Sequence, residues 1–175
     1  MSRILIGVTG SIAAYKAAEL TRLFVKRGDS VRVVMTEAAT KFVTPLTFQT
    51  LSKNPVGVEM FEMPQDWSIQ HIAYAEADAA IVAPASANTI SKLRVGLADN
   101  LLTATLLATR AKIFLAPAMN VGMWENAATR ENLAVLRARG VEVIEPRMGG
   151  LACGVSAKGR MEEPLAIFNH VCSFL

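Results

Sequence analysis

The stretch Arg3-Ile4-Leu5-Ile6-Gly7-Val8-Thr9 runs straight into Gly10-Ser11, and then into a segment whose Leu20, Leu23 and Phe24 recur at helical spacing until Gly28. An apolar strand, a turn of small residues and a helix stopped by glycine form the first half of a β-α-β unit. Working outward, Val31 to Thr36 reads as the second strand, and the helix is expected over Ser11 to Arg27. Ala79 to Ala83 and Lys112 to Ala116 read as further strands, each followed by a proline and then by helical pattern. The helix Ala127 to Arg139 precedes a last strand, Val141 to Ile144. Strands that alternate with helices and are apolar on both faces predict an α/β fold, a parallel sheet in three layers with helices on both faces.

The chain has 175 residues, of which 52% are hydrophobic and 19% charged, so it is read as a single domain over 1–175 with a large core. This composition excludes disorder and leaves apolar surface for subunit contacts. The longest uncharged stretch, Ala79 to Ser91, is shorter than a membrane span and contains Pro84, Ser86 and Asn88. Met1-Ser2-Arg3 leads directly into the first strand without the apolar stretch of a signal peptide, so no membrane partner and a cytoplasmic location are expected. Cys153 and Cys172 stand in no metal-binding spacing, and no metal is expected. The 18 Lys and Arg are scattered and aromatic residues make up 6%, which argues against a nucleic-acid partner.

Ligands of open parallel sheets bind beyond the carboxyl ends of the strands. Four such segments stand out: Gly10-Ser11-Ile12, Thr36-Glu37-Ala38, Pro84-Ala85-Ser86-Ala87-Asn88-Thr89 and Pro117-Ala118-Met119-Asn120. Their small residues and hydroxyls let backbone N-H groups and helix amino termini approach a phosphate, which points to a nucleotide-like cofactor and a small-molecule substrate. Gly7-Val8-Thr9-Gly10-Ser11 is not G-x-G-x-x-G, and the second strand closes on Thr36 where a dinucleotide site has an acidic residue, with Glu37 one position late. The pattern favours a mononucleotide. One glycine-rich turn alone would be explained by tight strand-to-helix turning; four polar strand ends together favour a site.

These motifs resemble those of the flavin-dependent cysteine decarboxylases. The resemblance rests on Gly10 to Lys16, on His71-Ile72, on Pro84 to Thr89 and on Leu97-Ala98-Asp99-Asn100-Leu101-Leu102-Thr103. It continues through Pro117-Ala118-Met119-Asn120-Val121-Gly122-Met123-Trp124, then Leu151-Ala152-Cys153-Gly154 and Gly159-Arg160-Met161, in family order along nearly the whole chain. It implies a Rossmann-like flavoprotein fold with FMN held by Gly10, Ser11 and Ile12, by Thr36, Glu37 and Ala38, by Ser86, Ala87, Asn88 and Thr89, and by Ala118. It also implies a homo-oligomer of trimers, often dodecameric, with FMN near the subunit interfaces. In its coenzyme A branch, the implied activity is decarboxylation of 4'-phospho-N-pantothenoylcysteine to 4'-phosphopantetheine. There a phosphopantothenate-cysteine ligase is expected as partner in cis or in trans, and Leu175 falls where such a domain would begin.

Likeness assigns His71 to proton transfer or electrostatic help, for which a group titrating near neutrality is suited; by pattern alone a helix-face histidine capped by a carbonyl is the favoured reading. Asn120 matches the residue that grips the substrate carboxylate, and it also stands where a helix N-cap is expected before Val121. Met123 and Met119 are pocket lining by likeness and core by composition. Cys153 matches the acid that returns a proton to the product enethiolate, on a flap for which Gly149, Gly150, Gly154 and Gly159 supply backbone freedom. Two alternatives stay open: an oxidative decarboxylase of a peptide's carboxy-terminal cysteine, though the peptide decarboxylases of the same family lack that cysteine and release an oxidised product, and a non-catalytic FMN-binding regulatory protein of the same fold. His170 has no motif around it and is read as structural.

Overall fold

The computed structural model describes residues 1–61, 70–150 and 156–175. Its main sheet has six parallel strands in the order β3-β2-β1-β4-β5-β6: β1 (Arg3–Val8), β2 (Ser30–Met35), β3 (Val56–Gly57), β4 (Ala79–Ala85), β5 (Lys112–Pro117) and β6 (Glu142–Val143). The order reverses direction at β1, so β1 and β4 form the switch point where such sheets bind ligands. Side chains alternate along the strands, which is why both faces are apolar. Ile4, Ile6 and Val8 enter one core with Ile81 and Phe114, while Leu5 joins Ala80, Val82 and Leu115 in the other.

The first core is covered by α1 (Ala14–Arg27), α3 (Pro45–Ser52) and α9 (Pro164–Cys172), with the short α2 (Glu37–Thr40) contributing Ala39. The second is covered by α4 (Gln70–Ala75), α5 (Ala87–Val95), α6 (Leu101–Ala108) and α8 (Ala127–Ala138), with Trp124 of α7 (Val121–Glu125) at its margin. Helix α1 buries Ala17, Leu20, Thr21 and Phe24 and ends at Gly28, whose φ of 94° lets its N-H cap the carbonyls of Phe24 and Val25. Gly7 lets α6 approach β1, since a Cβ there would lie 2.6 Å from Leu102 Cδ1. Among the described residues no helix is long and apolar enough to cross a membrane.

The three-layer expectation holds, with differences at particular ends. Residues 11–13 form a turn, and α1 starts at Ala14 rather than Ser11, its first amide bonding to Ser11 O at 2.9 Å. Strands β4 and β5 extend through Pro84 and Pro117 instead of stopping before them. The register of β4 on β5 shifts between Val82 and Ala85, so the Pro84 nitrogen falls where the ladder is already irregular. One feature departs from parallel pairing: β7 (Arg147–Gly150) and β8 (Ser156–Arg160) form an antiparallel pair. Gly149, Gly150 and Gly159 belong to its strands, whereas Gly154 and Cys153 lie outside the described residues.

Candidate functional site

Because β2, β1, β4 and β5 are adjacent and parallel, their carboxyl ends stand side by side and present Thr36, Gly10, Ser86 and Ala118 in that order. Cross-strand bonds fasten the row. Thr36 N donates to Val8 O at 3.0 Å, and Ala118 N donates to Ala85 O at 3.2 Å. Between them, buried Thr9 donates from its hydroxyl to Pro84 O at 2.6 Å and accepts from Ser86 N at 2.9 Å. Gly10 packs directly on Ala38, whose Cβ would lie 2.6 Å from any Cβ at position 10. The segments singled out in the sequence are therefore brought together.

The donors of this row are its chemical signature. Among the described residues, the amides of Gly10, Ser11 and Ile12 donate no hydrogen bond; only at Ala13 does the chain begin to bond inward, to Ser11 Oγ at 3.3 Å. Ser86 caps α5 by accepting from Thr89 N at 3.3 Å, which leaves the first-turn amides of Ala87 and Asn88 for an acceptor outside the helix. Thr36 caps α2 in the same way, accepting from Ala39 N at 3.3 Å. Consecutive N-H groups beside a helix amino end form a concavity suited to an anion such as a phosphate. The hydroxyls of Ser11, Thr36 and Ser86 add acceptors and donors for a polyhydroxylated chain. Glu37 and Asn88 are exposed at the rim, and Thr89 is buried beneath it.

Asn120 follows β5 and caps α7, its Oδ1 accepting from Gly122 N at 2.8 Å. The N-cap expectation is met. Met123, one turn on, is 48% exposed, and Ile12 beside the first turn is 62% exposed. Met123 is thus not core. His71 sits at the start of α4, half-buried; among the described residues no hydrogen bond or ion pair joins it to the strand ends. His170 lies in α9 with its Nε2 3.3 Å from a Glu142 carboxylate oxygen and its ring edge-on to Phe114.

Two buried polar contributions to the site's framework are not singled out individually by the sequence patterns. Thr9 looks like the last residue of a strand, yet its hydroxyl ties the two central strand ends together. Lys16 is 5% exposed and reaches Glu163 Oε2 at 3.0 Å and Met161 O at 3.4 Å. Its place on the apolar stripe of α1, one residue before Ala17 and four before Leu20, is the signal that could have flagged it. The Lys16 hydrogen bond, reinforced by Arg160 and Arg147, holds the Glu163 carboxyl below its ordinary range. A cavity between Arg3, Arg32, Tyr74 and Glu76 lies at the opposite edge of the sheet. Its charges pair locally, Arg3 with Glu76 at 3.7 Å and Arg32 with Ala73 O at 2.7 Å.

Comparison with known proteins is consistent with this geometry. The flavoprotein family matches residues 1–175. The coenzyme A biosynthesis bifunctional protein CoaBC of Haemophilus influenzae is 49% identical over 98% of the chain, which spans 43% of that protein's length. A probable phosphopantothenoylcysteine decarboxylase of Streptococcus mutans is 46% identical over 97% of the chain and 96% of its own. A solved PPC decarboxylase, a cysteine-to-serine mutant complexed with pantothenoylaminoethenethiol, superposes with a TM-score of 0.88 and 34% identity, covering 99% of this chain and 97% of the other.

Proposed function

The chain belongs to the flavoprotein family, and from that premise we propose that it is an FMN-dependent carboxy-lyase converting 4'-phospho-N-pantothenoylcysteine to 4'-phosphopantetheine. The observation that carries this reading is the row of strand ends whose Gly10, Ser11 and Ile12 amides have no acceptor among the described residues. Such donors fit the phosphate of a mononucleotide, and the absence of a full dinucleotide fingerprint fits FMN over a larger cofactor. FMN, when bound, supplies the electron sink that loss of carbon dioxide from an unactivated carboxylate lacks, taking an electron pair from the thiol-bearing carbon and returning it, so the net reaction is redox-neutral.

The chain's own residues do the rest. Gly10, Ser11, Ile12, Ser86, Ala87, Asn88 and Thr89 bind and orient the phosphate and its attached chain, while Thr36, Ala38 and Ala118 shape the neighbouring wall. Glu37, exposed at the rim, turns its carboxylate to solvent and away from the phosphate. Asn120 donates from its amide to the substrate carboxylate without adding a charge that would overstabilise the ground state. Met123 covers the apolar part of the substrate. His71 moves the thiol proton or steadies the charge that forms there. Cys153 supplies the proton that completes the product.

The same reading includes a cytoplasmic homo-oligomer built from trimers, with FMN near subunit interfaces. The exposed Ile12, Tyr15 and Met123 close to the strand ends support it, since apolar side chains there would be covered by a second copy. A phosphopantothenate-cysteine ligase in cis or in trans would supply the substrate. The test is product mass after incubating the purified protein and FMN with 4'-phospho-N-pantothenoylcysteine. Loss of carbon dioxide alone is expected; loss of carbon dioxide plus two hydrogens, or no reaction by a protein that holds FMN, would refute the assignment.

A further inference from the structure

The end of β5 is held from two sides. On one, Ala118 N bonds to β4 through Ala85 O; on the other, Met119 N donates to Gly159 O of β8 at 3.0 Å. The second contact is unusually close. Gly159 has φ +151°, and a Cβ there would lie 2.3 Å from Met119 O, so only glycine lets β8 sit against the residue that precedes Asn120. Lys158, next in β8, places its ammonium 5.7 Å from the Trp124 ring centroid in α7, the helix that Asn120 caps. The position of β8 therefore sets the position of Asn120.

Beside its pairing with β7, β8 is held at its far end by Lys16. Its ammonium is carried into the first core from α1 and takes Met161 O, two residues past Gly159, together with the Glu163 carboxylate. Glu163 also faces Arg147 of β7 at 3.5 Å and Arg160 of β8 at 3.3 Å, so both hairpin strands and α1 meet on one carboxylate. Stability alone does not account for this lysine. An ion pair with one buried and one half-exposed partner contributes little over an apolar replacement of similar volume, and the flanking positions Ala13, Ala17 and Leu20 show that apolar side chains suit this stripe. Glu163 would keep two arginines without it.

We infer that Lys16 is a positioning residue for Asn120, acting through Met161, Gly159 and Met119, and so couples the first turn of the cofactor row to the group that grips the substrate. The catalytic consequence rests on the function proposed above; the coupling itself does not. The experiment compares Lys16→Met with the unaltered FMN-loaded protein by hydrogen exchange at the Met119 amide and by a kinetic cycle with Asn120→Ala. Exchange at Met119 should quicken by about tenfold or more as its bond to Gly159 loosens. The kcat/KM should fall by ~10- to ~100-fold in Lys16→Met, as a displaced binding group allows, yet by less than about threefold when Asn120 is already alanine.

Unchanged Met119 exchange, or equal losses in both backgrounds, overturns the inference. If the unaltered protein does not decarboxylate, the proposed function fails, while faster Met119 exchange in the variant still upholds the coupling. Should Lys16→Met not fold, Glu163→Gln weakens the same contact from the exposed side, and the same two readings apply.

Discussion

The two edges of the central sheet are built from the same strands and treated in opposite ways. At the amino edge, polar groups are paired. Arg3 N and its guanidinium both bond to Asp78, at 2.7 and 3.2 Å, and Asp29 accepts from Ser2 N at 3.0 Å and Arg27 Nε at 2.6 Å. At the carboxyl edge, amides in three consecutive residues have no acceptor among the described residues, hydroxyls cap short helices, and apolar side chains such as Ile12 stand in solvent. A fold can leave donors unspent at one edge when its register and core are secured elsewhere. Stability and ligand chemistry are thus separated along the strand axis, so substitutions at the two edges should fail in different assays.

The largest expected effect tests whether the chemistry belongs to the carboxyl-edge site at all. His71→Asn should lower decarboxylation by ~10²- to 10⁴-fold, the range for a lost acid-base group, while flavin absorbance of the purified protein is unchanged. Full turnover by that variant would remove His71 from the reaction. Next, Gly10→Val should strip the protein of FMN, because any Cβ at position 10 meets Ala38 at 2.6 Å and the three open amides must move. The overpacking itself costs about 1–3 kcal/mol, which the core can absorb, so a folded but colourless protein is the outcome that sharpens the contrast. Retained flavin at normal affinity would break it.

Thr9 sits at the boundary of the two behaviours. Thr9→Val keeps the shape but leaves Pro84 O and Ser86 N without their buried partner, at about 1–3 kcal/mol. Both melting temperature and flavin affinity should fall. At the amino edge, Asp29→Ala should cost a similar ~1–3 kcal/mol in denaturant unfolding while leaving kcat/KM within about threefold. An activity loss larger than the stability loss would show that the edges are coupled.

How far the sequence reveals this division depends on what each feature requires. The strand of Ile4 to Val8, the turn at Gly10 and the glycine stop at Gly28 are local patterns, and so the three layers and the row of strand ends were legible. The ends of β4 and β5 were not, because Pro84 and Pro117 read as breakers, whereas both strands run through them, with the register irregular between Val82 and Ala85. The hairpin of β7 and β8 reads in sequence as a glycine-rich flap, without strands. Its strands are short and rich in Arg, Gly and Ser, and what fixes them is distant: Lys16 from α1 and Met119 from β5. Asn120 showed both its roles in sequence, as cap and as amide donor, whereas Lys16 was visible only as part of a family motif.

The smallest effect is the pH response of the amino edge. The Arg3 backbone N-H, then its guanidinium, hold the Asp78 carboxyl below its ordinary range. A carboxyl whose value falls on folding contributes stability that is fully present above the unfolded value, about 3.9. That contribution disappears as pH drops through the lower folded value. Asp78 is 42% exposed, and Arg3 59%, so water screens the pair and the contribution is at most ~1 kcal/mol. Asp78→Asn should therefore unfold at slightly lower denaturant from neutral pH down to about pH 5, with the gap closing in more acid solution. A gap that persists undiminished below the folded value would assign the loss to packing instead of charge. A change in flavin binding in this variant would carry the effect across the whole length of the strands, against the separation of the two edges.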